Sequence, residues 1–586
     1  MLDYKERARA MVAEMTLSEK VSQMVHEAKG ISRMSIPAYN WWNECLHGVG
    51  RAGIATVFPQ PVGMAAMFDD VFLKEIAEVI SDEVRAKYNE AMREDDTLEN
   101  YDDSVDLAKK RWYRGITCWS PNINIFRDPR WGRGHETYGE DPFLTSRLGV
   151  AFVQGIQGDH PKYLKAVATP KHFAVHSGPE GKRHGFNVEI SRKDLYETYL
   201  PAFKACVQEA HAASVMSAYN AVYGDPCSSS ELLLEDVLRT EWGFDGFVVS
   251  DCGAVHDIFA NHKVAKSQTE AAAMAVNAGC DLNCGAVFNF LTNAVEKGLI
   301  SEETIDKSMQ RLFEARIRLG MFDDPAKVPF NAIDPEIIDC PEHRALALEA
   351  ARRAMVLLKN DGMLPISKEL KKVAVIGPNA DSHIVLLGNY NGTPSSDTTM
   401  LQGVQEYFSG ETVYAKGCEL TGQERGGFAE AVQIAQEADA MVLCLGLSPE
   451  LEGEEGDAFN ADAAGDRLSL TLPGVQEELL DALTETGTPL TVVLLSGSGT
   501  DLRQVDEKAN AVIQAWYPGQ DGGKALAEIL FGDFNPMGRL PITFVKSDAD
   551  LPDFENYDLK GRTYRYLETE PLYPFGYGLS YTAFDY

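Results

Sequence analysis

No stretch of these 586 residues approaches the roughly 20 consecutive apolar residues of a membrane span. The opening Met-Leu-Asp-Tyr-Lys-Glu-Arg-Ala lacks the basic start and apolar core of a secretory signal, so a cytoplasmic protein with no membrane partner is expected. Paired cysteine motifs are missing too. The ten cysteines stand singly, several within apolar runs (Cys118, Cys206, Cys444), which predicts reduced, buried thiols rather than a disulfide framework. Positive charge is scarce: 54 Lys and Arg face 88 Asp and Glu, a formal charge of −34. Such a chain repels the phosphates of nucleic acid and anionic lipid, which leaves a neutral or cationic ligand; a solubilising acidic surface accounts for the charge equally well.

Two motifs fall short of cofactor sites. Val375-Ile-Gly-Pro-Asn-Ala lacks the second and third glycines that let a backbone approach a pyrophosphate, and Pro378 removes an amide donor, so no nucleotide is expected. His172 and His176 have the helical spacing of a metal pair. Pro170 and the apolar alternation around them instead predict strand and loop, and no acidic residue completes a zinc-protease pattern. No metal and no other cofactor is expected. Short repeats and low-complexity segments are absent as well.

What is present is a long series of alternating β and α signals. Thr16-Leu-Ser-Glu19 reads as a capping box opening a helix. Apolar runs then end in polar residues five times: at Asn122 and Asn124, at Lys171-His172, at Tyr219-Asn220, at Asp251, and at Asp281 and Asn283. Amphipathic helical stretches such as 194–210 and 270–277 separate them. Polar groups gathered at strand C-termini are what a (β/α)8-type barrel uses to build an active site. The first domain is therefore placed at 1–322. Residues 323–341, with four prolines, form a linker. A second series occupies 342–586, with a helix over 342–359, strands at 372–377, 439–445, 490–495 and 511–516, and helices over 472–483 and 522–531. It predicts a doubly wound α/β sandwich. The fold class is thus α/β throughout.

Asp251 ends an apolar run, where an uncompensated charge is costly; a catalytic carboxylate and a structural cap are equally good readings of position alone. The acidic loop 447–467 would pass for a solvated surface loop.

Taken together, several segments resemble glycoside hydrolase family 3, in its bacterial β-xylosidase/β-glucosidase branch. They are Asn40-Trp-Trp-Asn-Glu44-Cys-Leu-His-Gly48, Asp128-Pro-Arg-Trp-Gly-Arg133 through Pro142, Lys171-His172-Phe, Met216-Ser-Ala-Tyr219-Asn220, Ser250-Asp251-Cys252, Gly446-Leu-Ser-Pro-Glu-Leu-Glu-Gly-Glu-Glu455 and Tyr573 through Phe584. Their order along the chain matches the family. The resemblance implies a retaining exo-β-glycosidase with Asp251 as nucleophile and Glu454 as acid/base, Glu452 and Glu455 being competing registers of the same loop. It further implies that Glu44, Arg133, Lys171 and His172 bind hydroxyls of the terminal sugar and that Tyr219 sits beside the nucleophile.

Double displacement would place the two carboxyl groups roughly 5 Å apart. It also predicts that Lys171 and Arg133 hold the Asp251 pKa low, and that burial near Asp251 raises that of Glu454. Glu44 stands where the β-glucosidase branch commonly has aspartate, and Cys252 where it commonly has tryptophan. The longer Glu44 side chain crowds the C5 substituent and favours xylose, so the expected substrate is a small neutral xylo-oligosaccharide. A β-glucosidase, a dual β-xylosidase/α-L-arabinofuranosidase and a catalytically inactive sugar-binding protein are the competing readings. A homodimer is compatible with the sequence.

Overall fold

The computed structural model describes residues 3–94 and 111–583; Phe584 of the C-terminal motif lies outside them. In the first half, short parallel strands are joined edge to edge into a closed ring. Strands β1 (Glu27–Ala28) and β2 (Tyr39–Asn40) pair antiparallel. Asn43 bridges to Cys118 of β3 (Thr117–Cys118), which pairs with β4 (Val167–Ala168). The chain beyond β4 bridges at Phe173 to Ser217 of β5 (Ser214–Ser217), and β5 pairs with β6 (Phe247–Ser250). Val249 then bridges to Leu282, and Asn283 closes the ring on Val25. Among the described residues the ring has seven segments and one antiparallel neighbour pair, in the place where the sequence predicts a (β/α)8-type barrel. All five polar strand ends lie on it.

The predicted caps form. Thr16 and Glu19 exchange hydrogen bonds at the start of helix Leu17–Gln23, and the Ser301 side chain caps helix Glu302–Arg318 at Thr304. The predicted helix over 194–210 is broken: a π-helical turn Leu195–Tyr199 precedes helix Pro201–Gln208, because Pro201 cannot donate to the preceding turn.

The second half carries a six-stranded sheet. Its strands are β7 (Val356–Asn360), β8 (Lys372–Ile376), β9 (Glu411–Ala415), β10 (Ala440–Gly446), β11 (Leu490–Leu495) and β12 (Ala511–Gln514), in spatial order β7-β12-β11-β10-β8-β9. All neighbours are parallel except β7 on β12. The central strands β10 and β11 are buried along their whole length, as a sheet covered on both faces requires. Two strands differ from expectation. The helix predicted over 342–359 ends at Ala354, and Val356-Leu-Leu turns into β7, where the β-prone run gains a ladder against β12. The edge strand β9 is half exposed and carries too weak an apolar signal to be read. Gly377, in the motif set aside as a nucleotide loop, packs against β10: a Cβ there would lie 2.1 Å from the Cys444 carbonyl oxygen.

The halves are locked by buried charge. Asp128 accepts hydrogen bonds from Arg130 (2.7 Å) and from Arg562 near the other end of the chain, and the Asp128 and Arg562 side chains are wholly inaccessible. Arg562→Met strands the Asp128 carboxylate beside a single arginine. A loss of about 3–5 kcal/mol is expected, read as a lower midpoint in urea unfolding; an unchanged midpoint would show the pair to be neutral.

Candidate active site

Each predicted site residue is positioned by a ring strand or by a loop of the second half. Asp251 follows β6 directly. Its backbone N–H donates to the Ser217 carbonyl at 3.2 Å, and its Oδ1 accepts from the Cys252 N–H at 2.7 Å. Lys171 and His172 follow β4. Lys171 Nζ donates to Glu44 Oε2 at 3.3 Å, while Trp42 Nε1 donates to Glu44 Oε1 at 2.8 Å. His172 Nδ1 lies 3.0 Å from Asn124 Oδ1, an acceptor, so Nδ1 carries the proton and Nε2 is left as the acceptor. Arg133 forms a fork on Glu136 with two bonds of 2.9 Å.

The two candidate catalytic carboxylates meet through two intermediaries. Asp251 Oδ2 is 3.5 Å from His172 Nε2, Arg133 Nη2 is 3.3 Å from the same nitrogen, and Arg133 Nη1 is 3.5 Å from Glu454 Oε1. Glu454 also accepts from Arg183 Nη1 at 2.9 Å and from the Tyr390 hydroxyl. Asp251 Oδ2 and Arg133 Nη1 are buried and make no hydrogen bond within the chain, the state expected of groups that await a ligand. Tyr219 lies beside this group, its ring 4.7 Å under the Arg183 guanidinium and 4.6 Å from His184.

The three glutamates of the loop have distinct surroundings. Glu452 is fully buried and accepts from Gly497 N–H (2.6 Å), Tyr517 (2.6 Å) and Ser498, which makes it a brace for the loop after β11. Glu455 is 37% exposed and pairs loosely with Arg183 at 3.5 Å and His184 at 3.7 Å. Only Glu454 approaches the Arg133–His172–Asp251 line. Glu452→Ala leaves three donors unmatched and is expected to cost about 1–3 kcal/mol of stability; a thermal midpoint unchanged from wild type would contradict the bracing role.

The electrostatics reverse the sequence expectation. Burial pushes the Asp251 carboxyl up, and the more distant charges of Arg133 and Arg183 do not offset it. Burial acts on Glu454 in the same sense, but Arg133, Arg183 and the Tyr390 hydroxyl outweigh it and hold that carboxyl down at about 2. The cause is placement: both guanidinium groups lie on Glu454, and His172, driven well below its usual pKa by burial and by Arg133, brings no charge to Asp251. Glu44 is pushed up by burial against the pull of Lys171.

A second correction concerns the cysteines. Cys252 and Cys284 form a disulfide that ties the loop after the candidate nucleophile to the loop after the next ring segment. The other eight are free, seven of them buried. The pairing follows from the bridge of Val249 to Leu282, which sets residues 252 and 284 side by side at a Cα separation of 4.5 Å. A sequence spacing of 32 does not reveal it. Sequence reasoning also missed Arg183, Glu136 and Tyr390. Tyr390 sits on a second-half loop whose Asn389 donates to Glu136 at 2.7 Å and whose carbonyl meets His47 at 2.7 Å. No motif in its neighbourhood signals such reach.

His172 and His176 do not converge on a common metal: His176 faces Glu180 at 3.1 Å. Among the described residues no group of three or more His, Cys, Asp or Glu has a metal-holding arrangement, and no helix is long and apolar enough to cross a membrane.

A ring with its polar groups at the strand ends, capped by a doubly wound domain that lends a glutamate, defines the class of two-domain glycosidases. The comparisons with known proteins agree. The glycosyl hydrolase family 3 N-terminal domain matches residues 99–315 and the family's C-terminal domain matches 355–581. The xylan 1,4-β-xylosidase of Xylanibacter ruminicola is 37% identical over all of this chain and 84% of its own length. The probable β-D-xylosidase 7 of Arabidopsis thaliana is 40% identical over 99% of this chain and 76% of its own. A GH3 exo-β-xylosidase solved with a xylobiose aziridine activity-based probe superposes with a TM-score of 0.91 at 34% identity, over 99% of this chain and 75% of that one. The chain belongs to glycosyl hydrolase family 3.

Proposed function

We propose that the protein is a retaining exo-β-xylosidase that releases terminal β-D-xylose from xylo-oligosaccharides. The observation that carries this reading is the convergence of Asp251, from a ring strand, and Glu454, from a second-half loop, on the same Arg133–His172 pair. The β-xylosidase names of relatives matched along the whole chain support the sugar.

In this reading Asp251 attacks the anomeric carbon, while Glu454 gives its proton to the departing glycosidic oxygen, leaving a covalent xylosyl-aspartate. Glu454, now ionised, takes a proton from water. The hydroxyl bonds to the anomeric carbon as the aspartate departs, so the configuration is retained. Glu44, Arg133, Lys171 and His172 hold the sugar hydroxyls; Arg133 Nη1 and Asp251 Oδ2, which make no hydrogen bond within the chain, gain theirs from the sugar. Tyr219 packs beside the nucleophile. The disulfide next to Asp251 favours an oxidising compartment.

Glu44 bears on the choice between xylose and glucose. It is held between Trp42 and Lys171, one hydrogen bond to each carboxylate oxygen. Glu44→Asp shortens this wall, and the ratio of kcat/KM for p-nitrophenyl β-D-glucoside over the xyloside is expected to rise about tenfold. An unchanged ratio would remove Glu44 from the specificity argument. The reading as a whole is tested by kcat/KM of wild type on the two aryl glycosides side by side. A larger value on the xyloside upholds it, a larger one on the glucoside favours a β-glucosidase, and no turnover of either leaves a sugar-binding protein.

A further inference from the structure

Glu454 is carried by a loop, and a loop carboxylate keeps its place only as well as the loop is held. The chain runs out from β10 through Glu454 and turns back, with Ala463 and Asp466 bridged antiparallel across the turn. The returning arm lies flat on the outgoing one. Gly453 donates its N–H to the Gly465 carbonyl at 3.1 Å, and a Cβ at Gly465, where φ is 112°, would lie 2.4 Å from the Gly453 carbonyl oxygen. Asp466 comes next and is buried. Both of its carboxylate oxygens reach across to the first half: Oδ1 accepts from the Gly132 N–H at 2.9 Å and Oδ2 from the Glu180 N–H at 2.6 Å.

The two donors belong to the segments that bear the arginines on Glu454. Gly132 directly precedes Arg133. Glu180 opens the turn Glu180–Lys182 that ends at Arg183, and its side chain accepts from Arg183 Nη1 at 2.9 Å and from Trp131 Nε1 at 2.7 Å. One carboxylate therefore ties both arginine segments to the arm that lies against Glu454. Aspartate suits this place because two N–H donors converge from separate segments and a carboxylate offers each an acceptor oxygen, whereas an amide would turn a donor toward one of them. Burial and the neighbouring Glu180 carboxylate push the Asp466 carboxyl up, and the two backbone N–H groups pull against that rise.

We propose that Asp466 is a positioning residue for the reaction, fixing the Glu454 carboxyl between Arg133 and Arg183 where it reaches the departing glycosidic oxygen. The inference rests on the assignment of Glu454 as acid/base and deepens it. The role is exerted through Glu454, and no bond to the sugar is assigned to Asp466.

The test compares kcat/KM on xylobiose with that on 2,4-dinitrophenyl β-D-xyloside in wild type, Asp466→Asn, Asp466→Ala and Glu140→Gln. Xylobiose needs a proton on its departing oxygen and dinitrophenolate does not. Glu140 supplies the structural control. It too is buried and joins the halves by accepting two backbone N–H groups, from Thr543 at 3.0 Å and Tyr564 at 2.9 Å, but both partners lie outside the Glu454 loop. On xylobiose Asp466→Asn is expected to lose about tenfold and Asp466→Ala about 10²-fold, each with less than about threefold loss on the dinitrophenyl substrate. Glu140→Gln should lower the thermal midpoint and keep the ratio of the two substrates at its wild-type value. In a Glu454→Ala background, Asp466→Asn should shift that ratio no further, because the group it positions is gone. Equal losses on both substrates, no loss on xylobiose, or a further shift in the Glu454→Ala background would overturn the positioning role and leave the xylosidase reading intact. A wild type that turns over neither substrate would overturn both.

Discussion

Asp251→Gly is expected to lower kcat on p-nitrophenyl β-D-xyloside by about 10⁴-fold or more, because in the proposed mechanism Asp251 is the group that captures the anomeric carbon. The variant should remain folded. The Asp251 side chain makes one local hydrogen bond, from the Cys252 N–H, and its second oxygen makes none within the chain. Azide added to the variant should restore turnover and give an α-xylosyl azide, since the small anion enters the vacated face and expels nitrophenolate with a single inversion. Residual activity within tenfold of wild type, or a rescued product of β configuration, would strip Asp251 of the nucleophile role.

Glu454→Ala has a different signature. Proton donation matters in proportion to how poor the leaving group is, so the variant should lose about 10²–10⁴-fold on xylobiose and far less on 2,4-dinitrophenyl β-D-xyloside. The alkaline fall in kcat, which reports the sugar-bound enzyme, should vanish with it. In the empty site the carboxyl is ionised, held down by Arg133, Arg183 and Tyr390. It becomes a useful acid only when a sugar draws Arg133 onto its own hydroxyls and shields the carboxyl from that charge. Uniform loss across both leaving groups would point to Glu455 or to a merely structural Glu454.

Much of this was readable before any coordinates. The polar residues ending the apolar runs at Lys171-His172, Tyr219 and Asp251 come together at the strand ends of the ring, because strand periodicity and burial force such groups there. The four inner strands β8, β10, β11 and β12 were equally plain, their apolar runs being long and bounded. What escaped was set by three-dimensional neighbours alone. Cys252 and Cys284 pair because adjacent segments share a register, and Arg183 and Tyr390 arrive from loops with no local signature. The polarity of the two carboxylates was misjudged for the same reason: composition shows that arginines are present, and only geometry shows that both lie on Glu454. The edge strand β9 and the junction of helix 341–354 with β7 were lost to weak or mixed propensity.

The contact of Gly132 with the loop that carries Glu454 has a consequence in time. A Cβ at Gly132 would lie 1.9 Å from the Gly465 carbonyl oxygen, so the first half is shaped to receive a partner that is synthesised much later. At about 5–20 residues per second, the roughly 200 residues between Asp251 and Glu454 take a ribosome about 10–40 s. During that interval the nascent chain holds Asp251 without Glu454 and an uncovered face where the second half belongs. In the proposed mechanism the chemistry therefore waits on a single late event, the docking of the chain's own C-terminal half.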